Sequence, residues 1–321
     1  MPAPSTLQPV RPGRQDYPWE DVAVADTQRR EGVIALDIGG TFVKSGIVRD
    51  DGSLLSEVVQ TPIAGDGTAT TILATFRSIV ELHVSRLAGA ALRGIAAGVP
   101  GPFDYAAGFP LMQHTFGAIY GLDLQQALRS FVPGWDGPVR FRNDAEASVV
   151  GEACYGAGRR SCRLIGLTLG TGLGSSFVVD RAPAVAGPGV PERGAVWCLP
   201  WRGAIADECF SIRGLTARLG QAGAEGLTIT AAADRAHAGD TALRAAFAAF
   251  GVALGEFIRP YAQPSGADML LLGGISGAAG LFAEEVQRGA ATPVVQGELG
   301  SGAALTGAAA LLLTYSDEQN A

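Results

Sequence analysis

Two segments of the chain are built alike, and together they restrict the fold more than anything else in the sequence. Val33-Ile-Ala-Leu-Asp37-Ile-Gly-Gly-Thr41 continues as Phe-Val-Lys44-Ser-Gly-Ile-Val48, and Leu164-Ile-Gly-Leu-Thr-Leu-Gly170-Thr-Gly172-Leu-Gly174 continues as Ser-Ser-Phe-Val-Val179. Each is an apolar strand, a tight turn of Gly and Thr, and a second apolar strand, with an acidic residue (Asp50 or Asp180) close behind. A turn without Cβ atoms lets bare backbone N–H groups approach phosphate oxygens. Two such turns imply two related halves with a nucleotide bound between them.

The 321 residues, 47% hydrophobic and 17% charged, suffice for two domains with sizeable cores. The net charge of −7, from 24 basic and 31 acidic residues without a dense Lys/Arg run, argues against a nucleic-acid partner. No apolar run approaches the ~20 residues of a bilayer span. The first 30 residues lack the apolar core of a signal peptide, so a cytoplasmic protein without a membrane partner is expected. Cys154, Cys162, Cys198 and Cys209 form no C-x-x-C pair and are expected as buried small apolar residues.

Residues 1–31, rich in Pro, Arg and Asp, are expected to form a loosely held arm, too short for a winged-helix DNA reader. Residues 32–141 form a smaller lobe in this reading, completed by a C-terminal helix over 303–318, and residues 142–302 form a larger lobe. The spacing of Ile72, Leu73, Phe76, Ile79, Val80, Leu82 and His83 predicts a helix over 70–87 with one buried face. Further helices are expected over 145–155, 206–220 and 241–259. Strands alternating with helices, with the hairpin unit present twice, make this an α/β protein of two similar lobes around a central cleft.

Taken singly, Gly-Gly-Thr also makes ordinary turns, and Asp144 could be a helix N-cap rather than a base. The order of motifs is more specific: Asp37-Ile-Gly-Gly-Thr41, Gly98-Val-Pro-Gly101-Pro-Phe-Asp104, Asn143-Asp144-Ala, Gly151-Glu-x₃-Gly156-Ala-Gly158, Leu169-Gly-Thr-Gly-Leu-Gly174, Leu272-Gly-Gly274. From about residue 32 onward this series resembles the ROK family of sugar kinases and sugar-responsive repressors, within the actin-like ATPase (ribonuclease H-like) superfamily.

The resemblance implies ATP as donor and Mg²⁺ held through water by Asp37, as suits a hard ion that keeps part of its hydration shell. It places Gly39, Gly40, Thr41, Thr171 and Gly172 at the nucleotide phosphates and Gly273 and Gly274 against the adenosine. Lys44 could add a cation there, or simply be solvated. Asp144 would take the proton from the attacking sugar hydroxyl, while Asn143 orients neighbouring hydroxyls and Gly101 lies on the acceptor side. Glu146 is better explained by the helix dipole. A homodimer is implied as well.

Two departures concern the acceptor. Pro191-Glu192-Arg193-Gly194-Ala195 has Ala where many relatives carry a zinc-bound His, and the cysteine-rich zinc loop is missing, so no zinc is expected. Glu192 and Asp207 remain as sugar contacts, with Glu208 in place of Asp207 if the register slips by one. His114 or Thr115 stands where relatives often place an Asn. Trp197, Leu199 and Trp201 are expected to form an apolar plug that does the work of the zinc. The expected reaction is phosphorylation of a hexose, amino sugar or sugar-like polyol. The alternatives are a polyphosphate-dependent or cyclitol kinase, or a noncatalytic sugar sensor.

Overall fold

The computed structural model describes residues 31–274 and 278–313. The expected N-terminal arm, the last residues of the expected C-terminal helix, and the segment after Gly274 fall outside that range.

The duplication visible in the sequence is repeated in the topology. In the first sheet, β1 (Glu31–Ile38) pairs antiparallel with β2 (Phe42–Val48), which pairs antiparallel with β3 (Val59–Pro62). On its other side β1 pairs parallel with β4 (Ala91–Val99), and β4 with β5 (Val139–Asn143), giving the order β3-β2-β1-β4-β5. The second sheet repeats this with β6 (Arg163–Leu169), β7 (Leu173–Val179), β8 (Ala182–Pro183), β9 (Met269–Gly274) and β10 (Val294–Gln296), in the order β8-β7-β6-β9-β10. The hairpin joins are antiparallel and the crossovers parallel, as before.

Because side chains alternate along a strand, β1 is apolar on both faces and feeds two cores. Ile34, Leu36 and Ile38 pack with Ile72, Phe76 and Ile79 of α1 (Ala69–Arg86) and with Leu124 and Leu128 of α2 (Leu124–Ser130). Val33 and Ala35 face Ala147 of α3 (Asp144–Tyr155) and the small residues of α9 (Ala303–Leu313). On the other side of this helix pair, Val149, Val150 and Ala153 of α3 pack on Leu164, Val178 and Leu271 of the second sheet. The far face of that sheet is covered by α4 (Ala206–Phe210), α5 (Ile212–Leu219), α6 (Ile229–His237), α7 (Thr241–Ser265) and α8 (Ala283–Ala290). The helix pair α3/α9 therefore lies between the two sheets. It packs tightly because glycines face backbone there. A Cβ on Gly307 would run into Ala147 O and lie 2.6 Å from Gly151 N, and one on Gly151 would run into Ala303 O.

Three details differ from the sequence reading. The helix expected over 206–220 is two helices, broken at Ser211, whose extended ψ of 174° frees Ile212 N–H to donate to Gly170 O at 2.9 Å. The helix α7 runs six residues past its expected end at Arg259, through Pro260 and Pro264. By length and composition α7 could also cross a membrane, a feature not anticipated from the sequence, but its Phe247, Phe250, Leu254 and Phe257 lie in the core of the second lobe. None of the four cysteines is buried: Cys162 and Cys198 are exposed, and Cys154 and Cys209 are partly so.

Glu152 of the Gly151-Glu motif is buried, at 3% exposure, and holds two loops at once. Its carboxylate accepts from Ala157 N at 3.0 Å and from Leu299 N at 2.8 Å. Glu152→Ala leaves both amides without this partner, and each unsatisfied buried group costs about 1–3 kcal/mol. The expected result is a fall in the denaturation midpoint equivalent to about 2–5 kcal/mol, checked by urea unfolding; an unchanged midpoint would show that water replaces the carboxylate.

Candidate active site

The strand β5 passes into α3 without a loop, Asn143 being its last residue and Asp144 the first of the helix. The two side chains act differently at this junction. Asn143 is the N-cap, its Oδ1 accepting from Ala145 N (3.1 Å) and Glu146 N (3.2 Å). Its Nδ2 donates to the Tyr105 hydroxyl at 3.2 Å, and that hydroxyl donates to Val99 O at 3.1 Å. Burial pushes the Tyr105 pKa up to about 12, so the phenol stays a neutral link in this chain. The Asp144 carboxylate accepts from Ala145 N at 2.9 Å. Burial, and after it the negative charge of Asp37, raises its pKa above the ordinary Asp value.

Beneath this pair Arg142, 4% exposed, makes an ion pair with Glu146 at 3.0 Å and donates to Gly307 O at 3.2 Å. The junction is thereby tied to α9. Glu146 is therefore the counter-ion of a buried arginine as well as a residue of the helix's first turn. Burial raises its pKa, against the opposing pull of Arg142.

A cleft of 1430 Å³ opens above the junction. Of the residues singled out from sequence, Gly101, His114, Asn143, Asp144, Thr171, Gly172 and Asp207 line it. In the second hairpin Gly170 N donates to Gly172 O (3.1 Å), and the turn is braced from behind by Asp207, whose Oδ1 accepts from Leu173 N at 2.7 Å. The other carboxylate oxygen of Asp207 pairs with Arg213 at 2.6 Å. Glu208, exposed and not among the lining residues, accepts from Ile205 N at 3.3 Å.

The first hairpin lies outside the lining set, although Asp37 is near enough for its charge to act on Asp144. Asp37 faces Lys44 across the β1–β2 ladder and pairs with it at 3.3 Å, so Lys44 is not simply solvated. Gly40 O accepts from Gly65 N and Gly65 O from Phe116 N, which sets the loop carrying His114 and Thr115 beside this turn. Gly273 and Gly274 end β9 against Thr168 and Leu169, at the base of the second hairpin. Gly274 has φ +72°, and a Cβ there would strike the Leu169 carbonyl, so no other residue fits without strain.

The segment after β8 departs most from expectation. Residues 192–194 form one 3₁₀ turn in which Arg193 (φ 55°) and Gly194 (φ 67°) are both left-handed. Ser175 of β7 anchors the turn, donating to Gly194 O (2.6 Å) and accepting from Val196 N (3.0 Å). Arg193, Ala195 and Trp197 line the cleft, while Glu192 is exposed and does not. The expected aromatic plug is only partly formed. Trp201 packs on Phe210 and Phe257 (5.9 and 5.6 Å between ring centroids) and Leu199 joins the same core, but Trp197 remains 50% exposed at the cleft wall. Sequence reasoning missed Tyr105 and Arg193. Nothing marks Tyr105 in advance; Arg193 occupies the unassigned position of the Glu-x-Gly pattern.

Among the described residues no three His, Cys, Asp or Glu side chains gather as direct metal ligands. Two carboxylates close enough for the charge of Asp37 to raise the proton affinity of Asp144 are nevertheless a donor set that suits a hard cation held through water.

The model of the ROK family matches residues 33–314. A glucokinase of Thermotoga maritima is 31% identical over 146 residues, covering 46% of this chain and 44% of that protein, so the match spans less than half the relative's length. Among solved structures, a ROK family glucokinase from Streptomyces griseus in complex with glucose and AMPPNP aligns with a TM-score of 0.65 at 21% identity, over 87% of this chain and 98% of that one. A ROK family transcriptional regulator, a homolog of the E. coli MLC protein, aligns with a TM-score of 0.73 at 18% identity, over 88% of this chain and 78% of that one. These structural likenesses concern the fold, which is the actin-like ATPase fold of ROK sugar kinases. With the family's match running through both sheets and the α3/α9 pair between them, this chain belongs to the ROK family.

Proposed function

We propose that the chain is a Mg²⁺-dependent kinase that transfers the γ-phosphoryl group of ATP to a hydroxyl of a hexose, amino sugar or sugar-like polyol. The observation that carries this reading is the Asn143–Asp144 junction: a carboxylate with a raised proton affinity, set in a cleft opposite a glycine turn. Asp144 takes the proton of the attacking hydroxyl as its oxygen bonds to the γ-phosphorus. The bond from that phosphorus to the oxygen bridging toward the β-phosphate breaks, and ADP leaves with that oxygen. Asn143, locked by Ala145 N, Glu146 N and Tyr105, supports the acceptor's neighbouring hydroxyls. Thr171 and Gly172 offer donors to the phosphates. Bound Mg²⁺ supplies neutralising charge, with Asp37 as its anchor through water and Gly273-Gly274 as the floor for the adenosine. The reading includes a homodimer and no structural zinc.

The regulator likeness keeps a sugar sensor as the second reading, but a sensor does not need a base in the position of Asp144. Formation of the phosphorylated product, measured across a panel of sugars, amino sugars and cyclitols with ATP and in parallel with polyphosphate as donor, decides among these. Phosphorylation with ATP is expected; binding without turnover on any member would favour the sensor.

Asp37→Ala should weaken productive Mg·ATP use by about 10–100-fold, the usual cost of losing an outer-shell metal partner, and leave sugar binding nearly unchanged. Calorimetry with each ligand separately checks this. Equal loss for both ligands would mean that the substitution damages the fold instead.

A further inference from the structure

The acceptor side of the cleft has an unusual balance of charge. Of the two carboxylates expected to receive hydrogen bonds from a sugar, Glu192 is exposed and does not line the cleft, and Asp207 is already engaged by Leu173 N and Arg213. Arg193, next to Glu192 in the chain, lines the cleft, and no ion pair or side-chain hydrogen bond engages it among the described residues. Its backbone is fixed in an unusual conformation. At φ 55° it is left-handed, its N–H donates to Val185 O at 3.1 Å, and the next residue, Gly194, is held by Ser175. Left-handed geometry at a non-glycine residue costs free energy, and sites that bind ligands are where such strain concentrates. The guanidinium also acts on the reacting side of the cleft, since its charge is felt at the Tyr105 hydroxyl that orients Asn143.

We propose that Arg193 selects an acceptor carrying an anionic substituent, so that the substrate class is a sugar or polyol bearing a carboxylate or phosphate group rather than a neutral hexose. This rests on the kinase reading of the same cleft. A planar guanidinium presents a fork of N–H donors that matches either anion, and a charge-assisted bidentate pair is stronger than a hydroxyl contact. A neutral sugar gains little from Arg193 and finds neither Glu192 nor an unengaged Asp207 to receive its hydroxyl protons. The anion is held by Arg193 and the attacking hydroxyl by Asp144, so the chemistry of transfer is unchanged.

The test is calorimetric binding to the full chain of three probes on one ring scaffold: glucose, glucuronate and glucose 6-phosphate, with wild type and with Arg193→Gln. One or both anionic probes should bind about tenfold or more tighter than glucose, as expected for a hydrogen bond to a charged group. Arg193→Gln should erase that preference without changing glucose binding. The two anionic arms tell carboxylate from phosphate. Glucose binding as tightly as both anions, or a preference that survives Arg193→Gln, overturns the proposal. So does an Arg193→Gln variant whose only change is a higher KM for ATP, which would put the guanidinium on the donor phosphates. Failure of the kinase reading looks different: the anion preference and its loss in the variant persist, but no probe yields ADP.

Discussion

Asp144→Asn should lower kcat by about 10²–10⁴-fold, the usual worth of general-base catalysis, while leaving the protein at least as stable as wild type. The two halves of this expectation have one cause. Burial and the charge of Asp37 raise the pKa of Asp144 in the folded state, so the folded protein holds that proton more tightly than the unfolded chain does. For a carboxyl shifted upward, stability is fully present below the unfolded pKa and is lost as pH rises through the folded pKa. At neutral pH the ionised side chain is therefore a burden on the fold, and the neutral amide relieves it. Wild-type activity should fall on the acid side along a limb lying above the ordinary Asp range, and this limb should be missing from whatever activity the variant keeps. Rate profiles and thermal melts at several pH values check both halves. A variant with more than about a tenth of wild-type kcat is outside the range for loss of a base, and one that melts lower with pH-independent kinetics would show that Asp144 serves only the start of the helix.

The second large effect is expected far from any ligand. Gly307→Val places a branched side chain where α9 meets the backbone of Ala147 and Gly151 in α3, so the helices must separate. Overpacking of this kind costs about 1–3 kcal/mol or more, and the gain in helix propensity over glycine, under about 1 kcal/mol, does not offset it. The melting temperature should fall by about 2–4 °C for each kcal/mol lost. Activity should fall further than stability suggests, because α3 begins at Asp144 and Arg142 bonds to the carbonyl of Gly307 itself. A displacement near 1 Å at the reacting group can cost about 10²-fold. Gly280→Val, where a Cβ meets nothing within 4 Å, is the control and should leave both quantities near wild type. A Gly307→Val protein with the wild-type melting temperature would mean that the helix interface is looser than described.

Much of this was legible in the sequence because the chemistry is local. An apolar strand bounded by glycine announces a hairpin, and Asn143-Asp144 before a helical run announces a capped helix start. The repeat of the hairpin unit pointed to two alike sheets. What sequence could not supply depends on tertiary packing. Two successive left-handed residues, Arg193 and Gly194, present the arginine to the cleft and leave Glu192 outside it, a choice that no periodicity encodes. The continuation of α7 through Pro260 and Pro264 runs against the local rule for proline. Burial of Phe257, Ile258 and Ala262 in the second lobe's core outweighs the lost backbone bonds. The break at Ser211 likewise follows from a partner distant in sequence, the carbonyl of Gly170. The cysteines were misjudged because an average preference for burial says little about any one site.

The absence of a loop between β5 and α3 bears on how rigidity is distributed. Catalytic groups are commonly carried on loops, drawn from the less stable parts of a protein. Here Asp144, the proton acceptor of the proposed reaction, sits at the seam of the edge strand of the first sheet and a helix enclosed between two sheets. The two glycine turns, by contrast, are hairpin tips, exposed at Gly40, Thr41, Thr171 and Gly172. In hydrogen exchange, the amides around Asp144 are expected among the slower-opening ones and those of Gly40, Thr41, Thr171 and Gly172 among the faster. In the proposed reaction the base is then the fixed point, and any adjustment on closing falls to the turns that would hold the donor.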